Sequence, residues 1–128
     1  YGYDDALYSA VRMLSVLASS EESLADIRNS LPLYFNTPEL RLDCAEERKF
    51  DIIEEVRDRL TGNSEISVNN IDGVRVETSE GWWLLRASNT QAALVARCES
   101  TCPAGLERLK AELAQQLLES GIILKVIE

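Results

Sequence analysis

A chain of 128 residues, 45% hydrophobic and 27% charged, has room for one hydrophobic core plus an appendage. Its net charge of -9 and sequence pI near 4.5 exclude nucleic acid and anionic membrane as partners, because either needs a basic face to release counterions. Cys44, Cys98 and Cys102 come with no histidine and lack metal-ligand spacing, no apolar run can span a bilayer, and no signal-peptide pattern opens the chain, all of which reads as a cytoplasmic protein with free thiols.

The first element expected is a helix begun by Asp4 or Asp5 and running through Ala18. Leu7, Val11, Leu14 and Ala18 form one stripe, but Ala10, Met13, Val16 and Leu17 carry apolar surface around the other side. A helix so apolar all round is normally covered, and a chain that opens on Tyr1 straight into this pattern reads as a piece of a longer protein. A short helix within Ser20 to Ser30 should follow and end before Leu31-Pro32. Pro32 and Pro38 enforce extended backbone, which makes 32–38 the expected linker between a tail at 1–31 and a body at 39–128.

In the body, Glu39 to Asp43 alternates as a strand does. A helix over Ala45 to Leu60 comes next, with Phe50, Ile53, Val56 or Arg57, and Leu60 as its buried stripe and Thr61-Gly62-Asn63 as its stop. Val74 to Thr78, Trp82 to Leu85 and Ala93 to Cys98 read as strands, the first pair joined by Ser79-Glu80-Gly81. The last helix starts behind Pro103, repeats Leu106, Leu109, Leu113 and Leu117, and stops at Gly121. Ile122 to Ile127 reads as either a closing strand or a tail. The fold class this implies is α+β, a small antiparallel sheet with two helices on one face.

The run Arg86-Ala87-Ser88-Asn89-Thr90 sits where one apolar strand turns into the next. A guanidinium offers a planar fork of donors matched to phosphate oxygens, and Ser88, Asn89, Thr90 and the loop amides can add hydrogen bonds. The plainer alternatives are an Arg86 paired with Glu77 or Glu99 and an ordinary turn at Ser88 to Thr90, whose side chains bond their own backbone. Trp82 and Trp83 point to opposite faces of a strand, so one belongs to the core and the other covers the open face. Arg97, on the neighbouring strand, reads as a cross-strand ion pair rather than a second anion ligand. Glu46-Glu47 and Glu54-Glu55 read as solvated helix face, and Cys98 and Cys102 as unreactive thiols.

Asp72-Gly73, Gly81-Trp82 and Arg86 to Thr90 together resemble the last domain of the alpha-D-phosphohexomutases, the phosphomannomutase/phosphoglucomutase group, in which Arg-x-Ser-Asn-Thr follows an Asp-Gly strand and a Gly-Trp hairpin. Gln91-Ala92 stands where that family usually has Glu-Pro, which leaves the phosphate-binding groups intact and removes a φ constraint after the loop. The resemblance extends to Tyr1 to Ala18 as the end of the preceding domain and to the stretch from Asn36 to Phe50 as the entry to the last one. It implies a TATA-binding-protein-like layout. It also implies that Arg86, Ser88, Asn89 and Thr90 hold the phosphate of a hexose phosphate in an isomerase of carbohydrate metabolism. Such an enzyme interconverts hexose 1-phosphate and 6-phosphate, of mannose or glucose, with magnesium and a hexose bisphosphate as its cofactors. The chain has no Ser-His phosphoserine loop, no Asp-x-Asp-x-Asp metal loop and no sugar-reading loop. It is therefore expected to carry no catalytic residue, metal site or cofactor of its own, and to have the preceding domains of the same chain as partners. The competing expectation is an acidic α+β interaction module without an enzymatic parent, whose apolar helix docks on a protein.

Overall fold

The computed structural model describes residues 4–124, which fall into two compact units divided between Leu33 and Tyr34. The first unit holds α1 (Ala6–Ala18) and α2 (Leu24–Ser30). Asp5 caps α1 by accepting from the Tyr8 amide at 2.9 Å, and Ser23 with Asp26 closes a capping box on α2. Neither helix buries a residue, and Leu7, Val11, Met13, Leu14 and Val16 all stand exposed.

The second unit is a six-stranded antiparallel sheet under two helices. Its elements are β1 (Phe35–Asn36), β2 (Leu40–Asp43), α3 (Lys49–Leu60), β3 (Ser67–Asn69), β4 (Val74–Thr78), β5 (Gly81–Ala87), β6 (Ala93–Ser100) and α4 (Pro103–Glu119). The strand order is β1-β6-β5-β4-β3, with β2 sharing the edge of β6 that β1 uses. Alternation puts Val74, Val76, Trp83, Leu85, Ala87, Leu94, Ala96 and Cys98 on one face. There they meet Ile52, Val56, Leu60, Leu109, Leu113 and Leu117 in a single core cluster. Both helices thus cover the same face and leave the other open, which is the expected α+β layout.

The structure departs from the sequence reading in several places. Phe35–Asn36 lies inside the expected linker 32–38 yet pairs with Ser100 and Glu99, and the Thr37 amide donates to Cys98 O at 3.0 Å. The body's sheet therefore begins four residues before Glu39. Helix α3 starts at Lys49 rather than Ala45, behind a turn in which the Arg48 amide donates to Ala45 O at 2.9 Å. Its buried stripe is Lys49, Ile52, Val56 and Leu60, while Phe50 is 55% exposed. The short strand β3 has no counterpart in the sequence reading. Residues 122–124 form no strand, and the remainder of the expected closing segment lies outside the described residues.

Candidate anion site at the β5–β6 loop

The site is built from the bottom of the β4–β5 and β5–β6 corners. Val74 pairs with Leu85, so the residues just before β4 run alongside Arg86. Gly73 takes φ +80°, and a Cβ there would stand 2.3 Å from Leu85 O and 2.7 Å from Arg86 Cα. Only a residue without a side chain lets this corner press on the β5 backbone. The close approach brings Asp72 Oδ2 to 3.8 Å from Arg86 Nη1. The partner is thus Asp72, not the Glu77 or Glu99 of the plainer reading.

Arg86 lies on the open face of the sheet and its side chain is 33% exposed. At 3.8 Å the Asp72 contact is too long for a hydrogen bond, and among the described residues the guanidinium has no other partner. Arg41, Arg48, Arg59, Arg75 and Arg108 each hold a carboxylate at hydrogen-bond range or close to it. Arg86 keeps its donors free. Val95 on β6 is its cross-strand partner, and Arg97 sits opposite Leu84, so the two guanidinium side chains occupy diagonal positions of one face, about 7–8 Å apart at Cα. Arg97 forms no ion pair among the described residues; its Nη2 donates to Asn36 Oδ1 at 3.5 Å. The expected cross-strand ion pair is absent because Leu84, not a carboxylate, stands opposite.

The loop after β5 is shaped by Ser88. Its hydroxyl is buried and accepts from the Thr90 amide at 3.4 Å and the Gln91 amide at 3.2 Å, while the Ser88 amide donates to Ala93 O at 2.9 Å. Both hydroxyl lone pairs are used and its O–H donor remains. Asn89 and Thr90 are exposed at the tip, and their side chains make no hydrogen bond among the described residues. The sequence-predicted residues therefore divide: Arg86, Asn89 and Thr90 offer free donors, and Ser88 organises the turn with one donor to spare.

The sequence reading passed over Lys49. Buried under the loop, it donates to Ser88 O at 2.7 Å and Gln91 O at 3.2 Å. Its place in the series Lys49, Ile52, Val56, Leu60 was a signal, since the helical period puts it on the core face.

The other singled-out residues have ordinary surroundings. Trp83 is fully buried, and Trp82 lies on the open face with the Arg75 guanidinium 4.2 Å from its ring centroid and its Nε1 donating to Glu99. That cation–π contact occupies one face of the ring. Glu46, Glu47 and Glu54 are exposed. Burial pushes the Cys98 thiol up to about 12 and raises that of Cys44, and all three cysteines are unbridged. Among the described residues no group of three or more His, Cys, Asp or Glu side chains can hold a metal ion, and no helix is long and apolar enough to cross a membrane.

A family profile described as phosphoglucomutase/phosphomannomutase, C-terminal domain, matches residues 39–116. A phosphomannomutase/phosphoglucomutase of Pseudomonas putida is 43% identical over 118 residues, 92% of this chain and 25% of that protein. A phosphoglucomutase of Neisseria meningitidis is 35% identical over 122 residues, 94% of this chain and 26% of that protein. The crystal structure of a phosphoglucomutase/phosphomannomutase family protein from Burkholderia thailandensis superposes with a TM-score of 0.78 at 35% identity, covering 94% of this chain and 25% of that one. The chain spans about a quarter of the length of the curated relatives it matches.

Proposed function

Because the chain belongs to the phosphoglucomutase/phosphomannomutase family, matching its C-terminal domain, we propose that it is the substrate-phosphate-binding domain of a phosphohexomutase that interconverts hexose 1-phosphate and 6-phosphate. The observation that carries the reading is Arg86, a guanidinium with unspent donors beside a loop whose Asn89 and Thr90 side chains are also unspent. In water such a cluster holds a small anion, because each charge-assisted hydrogen bond contributes roughly 1.5–3 kcal/mol.

Arg86, Asn89, Thr90 and the Ser88 hydroxyl would grip the phosphate that is not being transferred. Fixing that end places the opposite end of the sugar at the reacting centre, which is catalysis by positioning. The reacting groups belong to the preceding domains of the same chain, and this domain is non-catalytic. Exposed Leu7, Val11 and Leu14 on α1 are accounted for by packing on those preceding domains. Residues 31–34, between α2 and β1, then serve as the hinge. The unbridged cysteines agree with a cytoplasmic enzyme.

The test is an amide-shift titration of the 128-residue chain with inorganic phosphate and with glucose 6-phosphate and mannose 6-phosphate. One wall of a cleft should bind at millimolar strength, about -4 kcal/mol. The largest shifts should fall on residues 86–91 and vanish in Arg86→Ala. Shifts scattered over the surface, or untouched by that substitution, would overturn the reading.

A further inference from the structure

Beneath the loop lies a buried cation that the clamp described above leaves unused. Lys49 opens α3 and is 2% exposed. Its ammonium donates to Ser88 O at 2.7 Å and to Gln91 O at 3.2 Å, and pairs with Glu46 Oε1 at 2.7 Å. Two of the three acceptors are main-chain carbonyls of the loop itself.

A trans peptide carries its N–H opposite its C=O. Drawing the Ser88 carbonyl inward therefore turns the Asn89 N–H outward, and drawing the Gln91 carbonyl inward does the same for the Ala92 N–H. Neither of these amides has a hydrogen-bond partner among the described residues. The amides of Ser88, Thr90, Gln91 and Ala93, by contrast, are all consumed within the loop. Lys49 thus sorts the loop's main chain into carbonyls that face the core and free N–H groups that face water. Outward N–H groups around a tight turn form an anion-binding concavity.

We propose that Lys49 is a positioning residue of the anion site, its ammonium fixing the Ser88 and Gln91 carbonyls so that the Asn89 and Ala92 amides present to the phosphate beside Arg86. This rests on the reading of Arg86 to Thr90 as the phosphate clamp. A methionine at position 49 keeps the apolar stem and loses the donors. The buried Ser88 carbonyl then lacks a partner and the Gln91 carbonyl keeps only the Ala93 amide, so the Ser88–Asn89 peptide rotates toward water and carries its N–H group inward.

The experiment uses the ¹⁵N-labelled 128-residue chain as wild type, Lys49→Met and Lys49→Arg, each first recorded without ligand and then titrated with inorganic phosphate. In Lys49→Met the amide signals of residues 88–92 should move before any phosphate is added, the rest of the spectrum should hold, and phosphate should bind about tenfold more weakly, the equivalent of ~1.4 kcal/mol. Lys49→Arg keeps the charge and donors and should recover part of that loss. A purely structural role would lower the melting temperature and leave the phosphate affinity of the folded protein unchanged. Wild-type affinity or unmoved 88–92 signals in Lys49→Met, with the wild type binding normally, overturn the Lys49 proposal and leave the Arg86 clamp standing. Absence of any phosphate response in the wild type overturns the clamp, and the proposal with it. Should Lys49→Met fail to fold, Lys49→Gln, which loses the charge and the reach of the ammonium, decides: wild-type 88–92 signals with wild-type affinity would overturn the proposal.

Discussion

The carboxylate of Asp72 stands 3.8 Å from the Arg86 guanidinium, close enough to attract it and too far to take its hydrogen bonds. Asp72 is exposed, so it competes with an incoming phosphate for the same cation without satisfying it. An exposed ion pair of this kind is worth roughly 0.2–1 kcal/mol. Asp72→Asn should therefore tighten phosphate binding about two- to fivefold, with a smaller gain at high salt. A titration in which Asp72→Asn binds more weakly than the wild type would show that Asp72 orients Arg86 instead of competing for it.

Gly73 is the hinge of that geometry. With φ +80° and a would-be Cβ 2.3 Å from Leu85 O, it has neither the conformation nor the space for a side chain. Gly73→Ala should lower the unfolding free energy by roughly 2 kcal/mol or more and separate the Asp72 corner from Arg86. Gly62→Ala is the control: its φ of +89° carries the backbone strain, but nothing lies within 4 Å of its Cβ. Urea denaturation should rank Gly73→Ala clearly below Gly62→Ala, and equal losses would refute the contact argument.

The cysteines differ in accessibility. Burial disfavours the thiolate, so the Cys98 pKa is pushed up to about 12. At pH 8 its thiolate fraction is then only about one part in ten thousand. Cys44 is buried and raised for the same reason. Cys102 is partly exposed, its sulfur accepting from the Gly105 amide at 3.3 Å at the start of α4. Native alkylation at pH 8 should mark Cys102 first, with Cys44 and Cys98 reacting only in denaturant. Mass spectrometry showing Cys98 modified in the folded protein would contradict this.

The first unit buries none of its helical residues. Deleting residues 1–33 should leave the second unit folded, with a melting temperature changed by less than about 4 °C, a shift equivalent to under about 1 kcal/mol. The Arg86 loop signals should be unchanged. A large drop, or slow amide exchange in α1 matching that of α3, would show that α1 belongs to the core of this chain.

Periodicity and punctuation were enough to read most of the secondary structure. Leu109, Leu113 and Leu117 announce the buried stripe of α4, Gly121 its stop, and strand alternation that Trp82 and Trp83 take opposite faces, with one indole in the core. These signals are local, since each depends only on the spacing of neighbours along the chain. The motif from Arg86 to Thr90 was legible for the same reason, because the chemistry of its side chains is carried by consecutive residues. What the sequence could not settle were pairings made across the chain. Phe35–Asn36 becomes a strand only because Ser100 and Glu99 offer an edge, and two residues between prolines carry no period of their own. Asp72 rather than Glu77 meets Arg86 because Gly73 admits a backbone contact that no pattern of side chains announces. Lys49 was passed over, and an ammonium is costly to bury. Tertiary structure offsets that by placing the Ser88 and Gln91 carbonyls and the Glu46 carboxylate within reach, and only folding brings residues 39 and 42 positions apart together to meet that cost.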